Sequence, residues 1–178
     1  MRRGADLAHR DPATATACFV AAVLGWNGPF YPLYVIALTG WSRGRLAFLT
    51  MIATPAFLAI ARLGGRRPAA GRMALWLVGT VNTLWCMKLL GPGSGVGVFL
   101  LPCTLLAVLL PAGAVRLAGA GLPLLALLVP RPWFEPAIMT LTAGQQAHLV
   151  VLNQFSAACL TALLALRLGR FVPVSSGA

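Results

Sequence analysis

Residues 73–90 read MALWLVGTVNTLWCMKLL, eighteen residues with a single charge, Lys88, near one end. As a helix rising about 1.5 Å per residue the stretch is about 27 Å long, close to the roughly 30 Å thickness of a bilayer's hydrocarbon core. Its apolar residues run on without the period-two alternation of a barrel strand. Lipid-embedded helix is the reading that length and pattern share.

Five further runs repeat that reading. Together the expected spans are 15–38, 46–63, 73–90, 96–112, 115–129 and 147–166. The whole chain agrees: of 178 residues 59 % are hydrophobic and 10 % charged, with mean hydropathy +0.85. Soluble domains average about 25 % charged residues, and a small soluble fold exposes too much surface to hide this much apolar area. The expected architecture is an all-α integral membrane bundle of six transmembrane helices. Residues 1–14 form a short N-terminal segment, 15–167 the membrane domain and 168–178 a tail. Proline removes a ladder donor, so Pro29 and Pro32 are expected to kink the first helix, Pro102 the fourth and Pro123 the fifth. The fifth run is short, about 22 Å as a helix, which leaves five spans plus a re-entrant segment as an alternative. The N-terminal MRRGADLAHRDP resembles the charged part of a signal peptide. The apolar run behind it exceeds the 7–15 residues of such a peptide and lacks a small-residue cleavage site, so it reads as a retained helix.

The formal charge of +11 comes from arginines between the apolar runs. With the N-terminus inside, Arg2, Arg3, Arg10, Arg62, Arg66, Arg67, Arg72, Arg116, Arg167 and Arg170 share one side, and Arg43, Arg45, Lys88 and Arg131 the other. That ten-to-four split favours both termini in the cytoplasm under the positive-inside rule. It also explains the basic excess without nucleic acid. Trp41, Trp133 and Phe134 then fall at the outer interface, where aromatic rings settle. Arg62, Arg66, Arg67 and Arg72 either mark topology or meet anionic lipid or an acidic partner.

Polar side chains inside the runs carry the functional information, because each needs a partner in hydrocarbon. On the third helix Gly79, Asn82, Thr83 and Cys86 share a face by helical spacing. Gln146, Asn153, Ala157 and Thr161 make a similar stripe on the sixth, and Gly25, Gly28, Pro29 and Pro32 on the first. All three faces are expected to point into the bundle. Two readings stand for them: close packing and hydrogen bonding between helices, or the lining of a pocket for a small ligand.

Chemical machinery is missing. Cys18, Cys86, Cys103 and Cys159 form no C-x-x-C pair, and there is no Walker loop, H-E-x-x-H or G-x-S-x-G. No carboxylate lies in a span, so a proton relay lacks its usual residue. His148 is the one span histidine able to ligate a haem iron or a chlorophyll magnesium, and it stands without a second. No metal site and no resident cofactor are expected, and the chain reads as a non-enzyme.

The stretch Gly79–Pro102, GTVNTLWCMKLLGPGSGVGVFLLP, resembles a block in the six-helix membrane sensor modules at the N-terminus of some bacterial class III nucleotide cyclases and histidine kinases. The matching positions are Asn82, Gly91, Ser94 and Gly95. Gly28-Pro29-Phe30-Tyr31-Pro32-Leu33-Tyr34 resembles the first helix of those modules. The resemblance covers about a quarter of the chain. It implies a multi-pass protein of the bacterial inner membrane with a sensor-like role. Those modules hand their signal to a cytoplasmic output domain. Here eight residues follow Arg170, so the resemblance implies a free-standing version that acts through other membrane subunits. The expected function is therefore a non-enzymatic accessory or sensor-like subunit of a larger membrane complex. A small transporter or channel, or a pigment- or haem-binding subunit, is the alternative.

Overall fold

The computed structural model describes residues 11–109 and 115–169, with the backbone alone for 115–120 and 168–169. All described secondary structure is helical. Four helical stretches are long and apolar enough to cross a membrane: Pro12–Thr39, Trp41–Arg66, Pro68–Leu90 and Ala143–Arg167. The fourth expected run appears as a shorter apolar helix, Val96–Leu109, and the fifth as Val115–Leu127. The expected end of the fourth at Ala112, the turn through Pro111 and Gly113, and most of both terminal segments lie outside the described residues.

The first stretch consists of α1 (Pro12–Asn27) and α2 (Phe30–Thr39), with the ladder interrupted at Gly28-Pro29. Pro29 and Pro32 lack the amide hydrogens that would continue the ladder, which accounts for the break. Asp11 starts α1: its carboxylate accepts from the Thr14 amide at 3.3 Å and from the Thr14 hydroxyl, and Pro12 occupies the first helical position. At the other end Gly40 takes φ +78° and turns the chain.

The next stretch begins earlier than its apolar run. Trp41–Gly44 (α3) is one helical turn, and Arg45–Ala53 continues it as a nine-residue 3-10 helix before α4 (Thr54–Leu63). Such runs seldom exceed four residues. Pro55 cannot donate to the Met51 carbonyl, and the Thr54 amide takes it instead. At Pro55 the ladder thus shifts by one residue in mid-span, a local change not expected from the sequence.

α5 (Pro68–Leu90) is unbroken, and Gly64 and Gly71 meet closely where it leaves the preceding stretch. Gly91-Pro92-Gly93-Ser94-Gly95 then leads through a 3-10 turn, Val96–Phe99, into α6 (Leu100–Leu109), which packs on α7 (Val115–Leu127). Pro102 sits in the first turns of α6, where proline is tolerated. Pro123 lies inside α7. The last helix, α8 (Ala143–Gly169), is the longest among the described residues.

Contacts between segments distant in sequence fix the arrangement. Gly28 faces Thr54 and Gly64 faces Cys18, so α1 and α4 run antiparallel. Trp85 Nε1 donates to the Leu49 carbonyl at 2.9 Å, and Gln145 Nε2 to the Leu38 carbonyl at 3.1 Å. Two buried apolar layers result. One gathers Ala17, Val20, Phe57, Leu75, Leu106 and Leu164 near the N-terminal end of α1. The other gathers Val35, Ala47, Leu89, Leu90, Met139 and Leu149 at the opposite end.

Candidate functional site: a cavity between two apolar layers

Between these layers lies a cavity of about 550 Å³. Its walls come from α1 and the break after it, the 3-10 segment and α4, α5, α6 with its leading turn, and α8. Two of the three polar faces read from the sequence meet here. Gly79, Asn82, Thr83 and Cys86 of α5 stand across from Asn153 and Ser156 of α8. Gly28 and Tyr31 close the side of the first stretch.

Asn153 is held most firmly. It is 0 % exposed, and its Nδ2 donates to the Ser94 carbonyl at 2.9 Å and to the Tyr31 hydroxyl at 3.3 Å. A carbonyl accepts only, so the amide cannot be turned the other way. The glycine-rich turn makes this contact possible. Gly91 and Gly95 take φ +81° and +73°, and a Cβ on Gly95 would lie 3.0 Å from the Val150 Cα. Ser94 bonds back to the Gly91 carbonyl through its hydroxyl at 2.7 Å, so its own carbonyl faces α8. The turn meets α8 ten residues beyond Ala143, about 15 Å along the helix. Above it, the Ile138 and Met139 amides donate to the Lys88 and Leu89 carbonyls at 3.1 and 2.8 Å, and Lys88 Nζ donates to the Pro136 carbonyl.

Two hydroxyls of the wall bond back to their own helical segments. Thr83 Oγ1 donates to the Gly79 carbonyl and Thr50 Oγ1 to the Ala47 carbonyl. Two wall atoms are left over: Oδ1 of Asn82 and Oδ1 of Asn153 are buried and meet no donor. Buried polar atoms are nearly always paired, so two unpaired acceptors on residues of one cavity wall are informative.

Several expected site residues sit elsewhere. Pro29 is exposed, where its glycine-proline stripe was expected to face inward, although Gly25 and Pro32 of that stripe are buried. Thr161 is also exposed, its hydroxyl bonded back to the Ala157 carbonyl at 2.8 Å, so the stripe on α8 ends at Ala157. Gln146 lies against Gly93, above the cavity rather than in its wall. His148 is exposed and away from the cavity, and no group of three potential metal ligands exists among the described residues. Trp41 and Trp133 are exposed, whereas Phe134 is buried.

Arg62, Arg66 and Arg67 are exposed, but Arg72 is engaged. Its Nη1 lies 3.1 Å from the Asp11 carboxylate, the one ion pair among the described residues. Burial pushes the Asp11 carboxyl up. The Thr14 hydrogen bonds and the Arg72 charge outweigh burial and hold it below the usual carboxylate value. Arg167 stacks over the Phe19 ring at 3.6 Å.

The sequence missed Tyr31 as the partner of Asn153, and Ser94 as a site residue acting through its backbone. The Tyr31 signal was present, an aromatic hydroxyl beside the proline break. A backbone acceptor leaves no signal. Comparisons with family models, curated proteins and solved structures give no match for this chain.

Proposed function

We propose that the chain is a six-pass protein of the bacterial inner membrane with both termini in the cytoplasm, acting as a non-enzymatic, sensor-like accessory subunit. It takes a small ligand between its helices and passes its state to partner membrane proteins through helix contacts. The cavity with two open amide acceptors carries this reading. Small-residue packing alone is a weaker basis for partner binding, because Gly25, Gly28, Gly64 and Gly71 already meet Leu58, Thr54, Cys18 and each other within the chain. The polar faces therefore favour the pocket over pure glue.

The cavity wall holds no Asp, Glu, His, Lys or Arg, so it offers neither a general base nor a metal ligand set. The apolar layers at both ends count against a water-filled path, and His148 on an outer face counts against an embedded pigment or haem. Filling the cavity through Ser156→Phe tests the proposal. Protein purified gently from native membranes is expected to carry a partner membrane protein in fixed ratio. The variant should keep its melting temperature and alter that ratio. A chain that emerges alone from native membranes, with and without the substitution, overturns it.

A further inference from the structure

We infer that the cavity takes a neutral amphiphile whose head donates hydrogen bonds, a hydroxyl on an aliphatic chain being the simplest case, and that this ligand enters sideways from the bilayer. The inference rests on the pocket reading above and assigns its ligand chemistry.

The head group follows from the open atoms. Asn153 Oδ1 and Asn82 Oδ1 are both acceptors, and the Asn153 orientation is fixed by the Ser94 carbonyl. A ligand that completes them must donate. An ether, ester or ketone head would leave the Asn153 oxygen unpaired. The charge follows from the walls. No formally charged side chain lines the cavity, so a phosphate, carboxylate or ammonium would be buried without a counter-ion, at a cost far above that of a hydroxyl. The tail follows from the remaining surface. Phe57, Leu75, Phe99, Leu106, Leu160 and Leu163 offer only apolar contact, and a volume of about 550 Å³ is within the range of small-molecule pockets.

The entry route follows from exposure. Four wall residues are also exposed, Val23 and Asn27 on α1 and Phe155 and Cys159 on α8, with Val23 at 38 % and Phe155 at 68 %. They mark a mouth between α1 and α8 on the side that faces lipid. Apolar layers lie beyond the cavity at both of its ends. A ligand already dissolved in the bilayer needs no other door.

The test uses the full chain in nanodiscs and a photoreactive long-chain alcohol. A methyl ether of the same length serves as the shape-matched control. The alcohol should label Pro68–Leu90 and Ala143–Gly169, and unlabelled alcohol should displace it about tenfold better than the ether. A fatty acid ionised at the working pH and an alkylammonium should compete poorly. Diacylglycerol and an isoprenoid alcohol, as separate competitors, distinguish the two natural sources of such a head. Asn82 has no protein partner to lose, so Asn82→Leu should keep the melting temperature while losing most of the labelling. Equal displacement by alcohol and ether overturns the inference, because the open acceptors then hold only water. So does labelling confined to outward-facing residues. If the alcohol fails while Ser156→Phe still alters the partner ratio, the ligand class falls and the sensor reading survives. If the alcohol binds and the ratio never changes, the site stands without that function.

Discussion

Two asparagines that look alike in the sequence do different work. Asn153 joins three elements by bonding the Ser94 carbonyl and the Tyr31 hydroxyl. Asn82, on the opposite wall, makes no bond through its oxygen. Helical spacing placed both on inward faces, because a period near 3.6 is visible in any run of residues. It could not say which would be saturated, since that depends on a backbone carbonyl in a distant turn. Asp11 is a residue whose role the sequence did not assign. Its carboxyl caps α1 and pairs with Arg72. Its folded pKa lies below the usual 3.8. The ionised form therefore adds stability above that value and loses it as pH falls through the lower, folded value. Asparagine also caps helices well, so Asp11→Asn removes the titration and keeps the cap. In detergent, the wild-type melting temperature should drop more steeply than that of Asp11→Asn as pH is lowered through 4 toward 3. Parallel pH profiles would show that the pair contributes nothing.

At the scale of elements, glycines separate into those that permit contact and those that do not. A Cβ on Gly71 would sit 2.7 Å from the Gly64 Cα, which is backbone and cannot swing away. A Cβ on Gly144, in the first turn of α8, would meet nothing within 4 Å. The same substitution should therefore act in opposite directions. Gly71→Ala is expected to cost about 1–3 kcal/mol through a forced backbone shift. Gly144→Ala is expected to be neutral or to gain up to about 1 kcal/mol from helix propensity. Thermal unfolding of both variants in one detergent checks the contrast, and a Gly71→Ala protein as stable as wild type would show that the two helices can separate freely. The element boundaries show where the sequence stops being readable. Apolar runs gave the existence of each helix and the break at Pro29. They did not give the start at Trp41, because Trp41-Ser42-Arg43-Gly44 is too polar to join the run, yet it forms a helical turn. Nor did they give the 3-10 winding of Arg45–Ala53, of which the missing donor of Pro55 accounts only for the last bond. The cavity was equally hidden, since it arises from how five walls fail to close.

For the molecule as a whole, the membrane arrangement turns on which ends of these helices share a side. The antiparallel contacts place the Gly64–Arg67 bend near the start of α1, and the Gly40 turn near the start of α8. If α6 and α7 form a hairpin that crosses the bilayer twice, the six-pass proposal follows, with Arg66 and Arg67 on the cytoplasmic rim. A bilayer tolerates arginines at that rim far better than across it. Single cysteines introduced into a background with the four native ones replaced by alanine report the sides directly. An impermeant maleimide added to intact cells should label Ser42→Cys and Thr140→Cys. It should reach Gly65→Cys only after the membrane is opened. Labelling of Gly65→Cys and Ser42→Cys from the same side would mean that Trp41–Arg66 does not cross. The cavity between its 3-10 segment and α8 would then lie outside the hydrocarbon. Water rather than a bilayer-borne amphiphile would in that case satisfy Asn82 and Asn153, so the labelling pattern also bears on the pocket.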